Sequence, residues 1–177
     1  MLRSAGAVGA DNGVRVTRQG NGPVPGVALI SMTGQRCTLD GELARAYPLV
    51  LNFVFTTCSS TCSAQTAVLA QVQRARRARG GRLQLASITI DPDNDTPEQL
   101  QQFARRFGIT EGWQFYTGQF DDLLRIQQHF DVYRGAKSAH PPVLLLRASA
   151  KSPWVRVEGF PTPAELLTLI DGLPQGA

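Results

Sequence analysis

Two continuous apolar runs with a helical segment between them constrain the fold of this chain most strongly. Residues 48–55 read PLVLNFVF, and residues 83–90 read LQLASITI. Short runs rich in apolar and β-branched residues are typical of strands that are buried on both faces. The intervening residues 62–79 carry apolar side chains at helical spacing and end at Gly80 and Gly81, which predicts a helix with a glycine stop. Together these segments predict a parallel βαβ unit.

The rest of the chain adds alternating strands and helices to this unit. The further predicted elements are a β-hairpin in residues 27–39 around Thr33 and Gly34, a helix after the N-cap Thr96, a short strand at 113–116, a helix at 120–130, an antiparallel hairpin in 141–159 and a last helix from Thr162. This order predicts the α/β class: a three-layer sandwich around a mixed central sheet, with an N-terminal β-hairpin.

The length and composition suit one folded unit. At 177 residues the chain has the size of a single domain, and 42% of its residues are hydrophobic while 18% are charged. We expect residues 1–25, which are rich in Gly and Pro, to form a flexible N-terminal arm with little regular structure. Residues 26–177 are expected to form one domain.

The net charge of +4 comes mainly from arginines, of which Arg74, Arg76, Arg77 and Arg79 are the densest group. Such a group can contact phosphates or an acidic partner, but cations at the C-terminal end of a helix also complement its dipole. We favour the second interpretation. No nucleic-acid partner is expected, because the sequence shows neither interleaved aromatic residues nor a recognisable nucleic-acid module.

The sequence also bears on membrane association. A membrane-spanning helix needs about 20 consecutive apolar residues, and the longest apolar stretches, such as residues 49–55, are far shorter. The initial segment MLRSAGAVGADNG lacks the apolar centre of a secretory signal. An export segment is therefore expected to be either absent in nature or removed from this chain, and the sequence leaves both alternatives open.

Cys58 and Cys62 are the residues with the clearest chemical potential. The chain has three cysteines, and an odd number argues against a disulfide framework. The pair stands in TTCSSTCS, between the predicted buried strand and the helix that follows it. Residues four apart on a helix have β-carbons roughly 5–6 Å apart, so the two sulfurs can hold one metal ion or close into a disulfide. A helix N-terminus stabilises anions, which predicts a lowered pKa for one or both thiols.

The ligand chemistry of the pair narrows the choice of metal. Two thiolates are soft ligands, which favour copper(I), zinc or iron–sulfur chemistry over magnesium or calcium. A closed structural zinc site normally takes four Cys or His ligands, and a chain with three Cys and two His suits such a site poorly. Cysteines that merely pack against the sheet are a further alternative, which the position of the pair between strand and helix disfavours.

The histidines and a group of acids are secondary candidates. His140 precedes a predicted buried strand, and its loop is expected beside the C-terminal ends of the parallel strands; the residues alone leave a ligand and an ordinary loop residue equally open. His129, at a predicted helix C-terminus, is interpreted as a dipole partner or surface residue. Asp91, Asp93 and Asp95 in DPDNDTP are interpreted as turn and capping residues rather than a calcium loop, with Asp91 expected to come nearest to the site.

Three segments in this order, FVFTTCSSTCSAQ, ITIDPDNDTPEQLQQFARRFG and AHPPVLLL, resemble the Sco family, also called SenC, across residues 27–169. The resemblance implies a thioredoxin-like fold and one copper ion, Cu(I) or Cu(II), bound by Cys58, Cys62 and His140. It also implies the function of a metallochaperone, which delivers copper to the copper A centre of cytochrome c oxidase subunit II or reduces the cysteines of that centre.

The resemblance extends to location and partners. It implies a periplasmic protein, or one tethered to a membrane and facing the periplasm through an anchor that lies outside this sequence. Subunit II or another copper or thiol protein is the expected partner, and the chain is expected to be a monomer.

Some residues depart from the family pattern or lie outside it. Ser63 stands where the family usually has proline after the second cysteine, and Cys37 is expected to be a buried bystander. Pro141 and Pro142 lie at about the place where thioredoxins carry a cis-proline, so one of these bonds is a candidate for the cis form.

An enzymatic alternative uses the same cysteines. In a general thiol–disulfide oxidoreductase, Cys58 attacks a substrate disulfide and Cys62 resolves the mixed disulfide. A peroxidase with Cys58 as the attacked thiolate is a weaker alternative, because the sequence shows no activating arginine arrangement around TTC.

Overall fold

The computed structural model describes residues 13–109 and 111–174. Its strands are β1 Arg15–Arg18, β2 Ala28–Ser31, β3 Arg36–Thr38, β4 Leu49–Val54, β5 Gln84–Thr89, β6 Trp113–Thr117, β7 Val143–Arg147 and β8 Val155–Glu158. Its helices are α1 Leu39–Leu43, α2 Thr61–Ala78, α3 Pro97–Arg106, α4 Phe120–His129 and α5 Pro163–Asp171, with a 3₁₀ helix at Lys137–Ala139.

The described strands form one mixed sheet in the order β1-β8-β7-β4-β5-β6-β2-β3. β4 pairs in parallel with β5, and β5 pairs in parallel with β6, which confirms the predicted βαβ unit. β7 pairs antiparallel with β4 and with β8, and β2 pairs antiparallel with β3, so both predicted hairpins are confirmed. Strand β4, which leads to the cysteines, therefore lies in the middle of the sheet between β5 and β7.

Helices cover both faces of the sheet. Leu69 of α2, Phe103 of α3 and Leu166 of α5 pack in one apolar layer, and each is at most 1% exposed. Leu39 of α1 and Ile126 of α4 pack in the other layer and are fully buried. The arrangement is the predicted three-layer α/β sandwich.

A chain of hydrogen bonds crosses the layer beneath α2. Trp113 Nε1 donates to Ser87 Oγ at 2.9 Å, Ser87 Oγ donates to Asn52 Oδ1 at 2.6 Å, and Asn52 Nδ2 donates to Gln65 Oε1 at 3.2 Å. Buried polar groups are costly without such partners. The chain of bonds ties β4, β5 and β6 to the second turn of α2, next to Cys62.

Two helices begin as the sequence predicted. Thr96 caps α3, because its Oγ1 accepts a hydrogen bond from the Gln99 backbone N–H at 3.3 Å, and Pro97 occupies the first turn. Thr162 and Glu165 form a capping box at the start of α5.

Regular structure begins earlier than the sequence indicated. Arg15–Arg18 forms the edge strand β1, paired antiparallel with β8, so the expectation of little regular structure before residue 26 is wrong for these residues. Val14 and Val16 pack against the layer that α2 covers, which gives the strand an apolar contact. Residues 19–25 form neither helix nor strand, as expected, and residues 1–12 of the expected flexible arm of residues 1–25 lie outside the described part of the chain. Residues 26–177 as one domain stay a prediction.

Within the described ranges, no helix combines the length and apolar character that a bilayer crossing requires.

Candidate thiol and metal site

Cys58 lies in the turn between β4 and α2. The helix begins at Thr61, and its N-cap Ser60 makes no side-chain capping bond. Instead, the Cys62 backbone N–H donates a hydrogen bond to Cys58 Sγ at 3.4 Å. Because the first N–H groups of a helix have no partner inside the helix, the Cys58 sulfur takes the role of a capping atom. Ser63 Oγ donates to the Cys58 carbonyl at 2.9 Å and fixes the turn.

Cys62 lies in the first turn of α2 and Cys58 precedes the helix, as the sequence predicted, so helical spacing does not set the distance between the two sulfurs. Ser59 and Ser60 extend the turn, in keeping with the preference of serine for turns and helix starts over helix interiors. The pair is nevertheless in contact, because the turn folds Cys58 back over the N-terminus of the helix.

The two thiols differ strongly in acidity. Burial raises the pKa of the Cys58 thiol, but hydrogen bonds from Cys62 and Ser60 outweigh it, so the pKa of Cys58 lies below its ordinary value. Cys62 is 2% exposed, and burial raises the pKa of its thiol to about 12, with the neighbouring Cys58 and Asp95 adding to the increase. The expected lowering is therefore confirmed for Cys58 alone. At neutral pH, a larger fraction of Cys58 than of Cys62 is therefore thiolate, the form that reacts and binds metal.

His140 lies between the 3₁₀ helix and β7, at the end of β4 from which the cysteine turn begins. Its ring packs edge-on against Phe53, with the ring centroids 6.0 Å apart. Phe53 belongs to the core layer under α4, whereas Cys62 belongs to the layer under α2. Across residues 13–109 and 111–174, no three His, Cys, Asp or Glu side chains are arranged to hold a metal ion. The structure therefore brings Cys58 and Cys62 together but leaves His140 apart from them.

An ion pair holds the loop that carries His140. Lys137 Nζ lies 2.5 Å from Asp91 Oδ2, and the same ammonium group lies 5.7 Å from the ring centroid of Phe55. Asn94 Nδ2 donates to both Asp91 carboxylate oxygens, at 3.0 and 3.1 Å. Asp91 thus anchors the His140 loop and does not act as a helix cap.

Asp95 is fully buried and joins the loops that follow β4 and β5. Its carboxylate accepts hydrogen bonds from the Thr56 N–H at 3.1 and 3.2 Å, from Thr56 Oγ1 at 2.5 Å and from Thr89 Oγ1 at 2.5 Å. Thr56 precedes Cys58 by two residues, so Asp95 fixes the approach to the cysteine turn. Asp91 thus contacts the loop that carries His140, and Asp95 contacts the residues that lead to Cys58.

Sequence reasoning missed the roles of Asp95 and Lys137. A signal for Asp95 was present, because polar residues that follow neighbouring parallel strands meet at one edge of the sheet. Thr56 follows β4, and Asp95 lies in the loop after β5. Lys137 offered no comparable signal, since its partner Asp91 is 46 residues away and the loop between α4 and β7 has no periodic pattern.

The remaining candidates lie away from the cysteines. His129 is exposed at the end of α4, which confirms its interpretation as a surface residue. Cys37 is half-buried on β3, and burial raises the pKa of its thiol, with Glu42 adding to the increase. The bonds before Pro141 and Pro142 are trans, and the cis bond in the described residues precedes Pro48.

The environment of His140 predicts a pH-dependent loss of stability. Burial lowers its pKa to about 4, and the carbonyls of Val132 and Phe53 offset this only in part. Between about pH 6.5 and pH 4, the unfolded chain binds a proton that the folded protein does not, so the free energy of unfolding falls as the pH falls. We expect this histidine to account for a loss of about 2 kcal/mol between pH 7 and pH 4.5.

Urea denaturation at the two pH values measures this loss. His140→Gln should lose about 2 kcal/mol less than the wild type. The control His129→Gln should reduce the loss only slightly, because burial also lowers the pKa of His129 but its side chain lies at the exposed end of α4. Equal losses in the wild type and His140→Gln would contradict the buried, neutral state of the ring.

The fold and the site together define a class of protein. A mixed sheet is covered by helices on both faces, and two cysteines are in contact where a central parallel strand passes into a helix, an arrangement typical of a thioredoxin-like domain. The SCO1/SenC family model matches residues 28–144, more than half of the chain. The chain therefore belongs to the SCO1/SenC family.

Individual relatives agree with this assignment. A SCO1 protein homolog of Bacillus subtilis (strain 168) is 34% identical over 68 residues, which span 38% of this chain and 35% of the relative. The match to this curated relative thus covers about a third of its length. The copper-bound structure of Arabidopsis thaliana ScoI has a TM-score of 0.69 at 18% identity, covering 83% of this chain and 94% of that one.

A second solved structure is that of BsSco, a member of the Sco family of cytochrome c oxidase assembly proteins in which a disulfide switch was identified. It has a TM-score of 0.70 at 20% identity, covering 84% of this chain and 91% of that one. At these identities the structural likeness shows the shared fold.

Proposed function

We propose that this protein is a copper carrier that serves the copper A centre of cytochrome c oxidase subunit II, with Cys58, Cys62 and His140 as the copper ligands. The observation that carries the proposal is the contact between the Cys62 N–H and Cys58 Sγ, which keeps two sulfurs together at a helix N-terminus. Two thiolates and an imidazole suit both Cu(I) and Cu(II). Copper-bound ScoI has the same fold, and BsSco belongs to a family of oxidase assembly proteins.

The chemistry of His140 supports its place in the ligand set. A ligand histidine must be neutral, and burial keeps the pKa of His140 at about 4, so the ring is neutral at physiological pH. Its Nδ1 is buried and has no hydrogen-bond partner in the described part of the protein. A polar atom in this situation favours a binding partner.

Copper binding by all three residues requires a local rearrangement. The ring of His140 packs on Phe53 in a different core layer from Cys62, so residues 131–142 must shift to bring the imidazole to the sulfurs. The ion pair between Lys137 and Asp91 opposes this shift, because the Asp91 side chain is only 9% exposed while that of Lys137 is 45% exposed. The two hydrogen bonds from Asn94 to the Asp91 carboxylate can remain when Lys137 moves, which limits the cost of the rearrangement.

Copper uptake also requires a proton to leave Cys62. Its thiol, with a pKa of about 12, is protonated at neutral pH, and metal ligation requires the thiolate. The affinity of the pair for copper should therefore rise with pH. In the periplasm, where we place the protein, the carrier would act as a monomer that passes copper on by ligand exchange.

Titration of the reduced protein with Cu(I), in competition with a chelator of known affinity, tests the proposal. We expect one copper per chain in the wild type and in the controls Cys37→Ser and His129→Ala. Cys58→Ser and Cys62→Ser should lose stoichiometric binding, and His140→Ala should bind more weakly. If His140→Ala keeps both the stoichiometry and the affinity of the wild type, the three-ligand site is wrong.

A second function, thiol–disulfide exchange, is favoured by the difference in acidity between the two thiols. The Cys58 thiolate attacks a substrate disulfide and forms a mixed disulfide, releasing one substrate thiolate. Cys62 then attacks the Cys58 sulfur and releases the second thiolate, so that the substrate is reduced and the Cys58–Cys62 pair is oxidised. Reduction of the cysteines of the copper A centre would use these steps.

Turnover of a model disulfide distinguishes the two functions. Turnover that persists without copper and in His140→Ala favours the oxidoreductase. Turnover that is absent while copper binds stoichiometrically favours the carrier.

A further inference from the structure

Exposed aromatic side chains gather beside His140. Among the described residues, three large hydrophobic side chains are prominently exposed: Phe120 by 57%, Phe160 by 50% and Tyr133 by 41%. Phe120 and Tyr133 line one cavity, and His140 lines the same cavity. Contiguous exposed apolar surface often marks a site of protein interaction. Phe160 does not line this cavity and provides a natural comparison.

The size of the cavity indicates what it can accept. Its volume is about 60 Å³, and Leu124 and Val132 contribute apolar walls. Small-molecule pockets usually have about 300–1,000 Å³, so this space suits the end of one side chain rather than a free ligand. A single apolar side chain inserted into such a cavity is the usual anchor of a protein interface.

The charge around the cavity indicates the kind of partner. Arg134 and Lys137 line it, whereas no carboxylate does. Their partners Asp131 and Asp91 lie outside the lining, and the pair of Arg134 with Asp131 is exposed, with the nitrogen and oxygen 3.3 Å apart. Because exposed pairs are weak, Arg134 can leave Asp131 and turn toward acidic groups on an approaching surface. Lys137 stays paired with the buried Asp91, but its side chain is 45% exposed and adds positive charge beside the cavity. Complementary charge of this kind steers association and fixes its register.

We infer that Phe120, Tyr133 and the cavity between them form a docking surface for an acidic protein that inserts one apolar side chain beside His140. The inference rests on the proposed function, because the partner is then the protein that receives copper or electrons from this site. Docking at this cavity places the partner against the loop of residues 131–142, which is the segment that must move for His140 to reach the cysteines.

Binding to the soluble domain of cytochrome c oxidase subunit II tests the inference. The cysteines of that domain are alkylated first, so that calorimetric titration at low ionic strength measures docking without thiol exchange or copper transfer. We expect Phe120→Ser and Tyr133→Ser each to raise the Kd at least tenfold, and Phe160→Ser to change it less than twofold. All three side chains are exposed, so the variants should fold, which circular dichroism checks.

The salt dependence and the alternative outcomes complete the test. Raising the NaCl concentration from 50 to 300 mM should also raise the Kd several-fold. Equal effects of the three substitutions, or no binding by the wild-type protein, would overturn the docking surface. Copper titration of the same preparations keeps the two proposals apart: docking without copper binding would refute the carrier alone, and copper binding without docking would refute this surface alone.

Discussion

Iodoacetamide should modify Cys58 about 100-fold faster than Cys62 at pH 7.5. With a pKa of about 12, only on the order of 10⁻⁵ to 10⁻⁴ of Cys62 is thiolate at this pH. An ordinary thiol is about one-tenth ionised there, and the pKa of Cys58 lies below its ordinary value. The thiolate fractions thus differ by at least about 10³, and the lower nucleophilicity of the more acidic thiol removes about one and a half orders of magnitude of this difference.

Mass spectrometry of the cysteine-containing peptides at short reaction times measures the rates in the wild-type protein. Cys37 serves as the internal reference, because it is half-buried and its pKa is raised by burial. It should react more slowly than Cys58. Equal rates at Cys58 and Cys62 would show that the contact between the Cys62 N–H and Cys58 Sγ does not set the acidity of the pair.

Replacing Asp95 should cause the largest loss of stability near the site. Asp95→Ala removes a fully buried carboxylate and leaves the Thr56 N–H and the hydroxyls of Thr56 and Thr89 without their acceptor. Buried groups deprived of a charged partner cost about 1–3 kcal/mol each, partly offset because the carboxylate no longer has to be desolvated. We expect the free energy of unfolding to fall by about 3 kcal/mol.

Urea denaturation at pH 7 measures this loss, and Asp93→Ala is the matched control. Asp93 is exposed in the same loop, so its replacement should change the free energy of unfolding by less than about 0.5 kcal/mol. Because Thr56 leads into the cysteine turn, Asp95→Ala should also shift the pKa of Cys58, measured from the pH dependence of alkylation, whereas Asp93→Ala should not. A loss below about 1 kcal/mol would show that the turn is held without Asp95.

The central part of the fold was predictable because its elements carry strong local signals. The apolar runs of β4 and β5 are stable mainly in the middle of a sheet, where both faces are buried. The helices after Thr96 and Thr162 begin with ordinary capping residues. β1 was missed because an edge strand buries little, so Arg15–Arg18 has no apolar run to mark it. The five-residue helix α1 is too short for helical periodicity to be visible.

The candidate site was predictable only in part. The spacing of Cys58 and Cys62 and their place before a helix were enough to predict a thiol pair, but the opposite shifts of the two pKa values depend on which sulfur is buried. The turn at Ser59 and Ser60 decides which sulfur is buried, and the spacing of apolar residues does not predict the shape of such a turn. The position of His140 followed from strand order, whereas the face on which its ring lies depends on its packing against Phe53.

The visible absorption of the Cu(II)-loaded protein tests the proposed ligand set most directly. Wild type, Cys37→Ser and His129→Ala should show the same thiolate-to-Cu(II) charge-transfer band, and the band should be lost in Cys58→Ser, in Cys62→Ser and in His140→Ala. A wild-type band that survives in His140→Ala would contradict the three-ligand site, and one that survives in either cysteine variant would contradict the thiol pair as the place where copper binds.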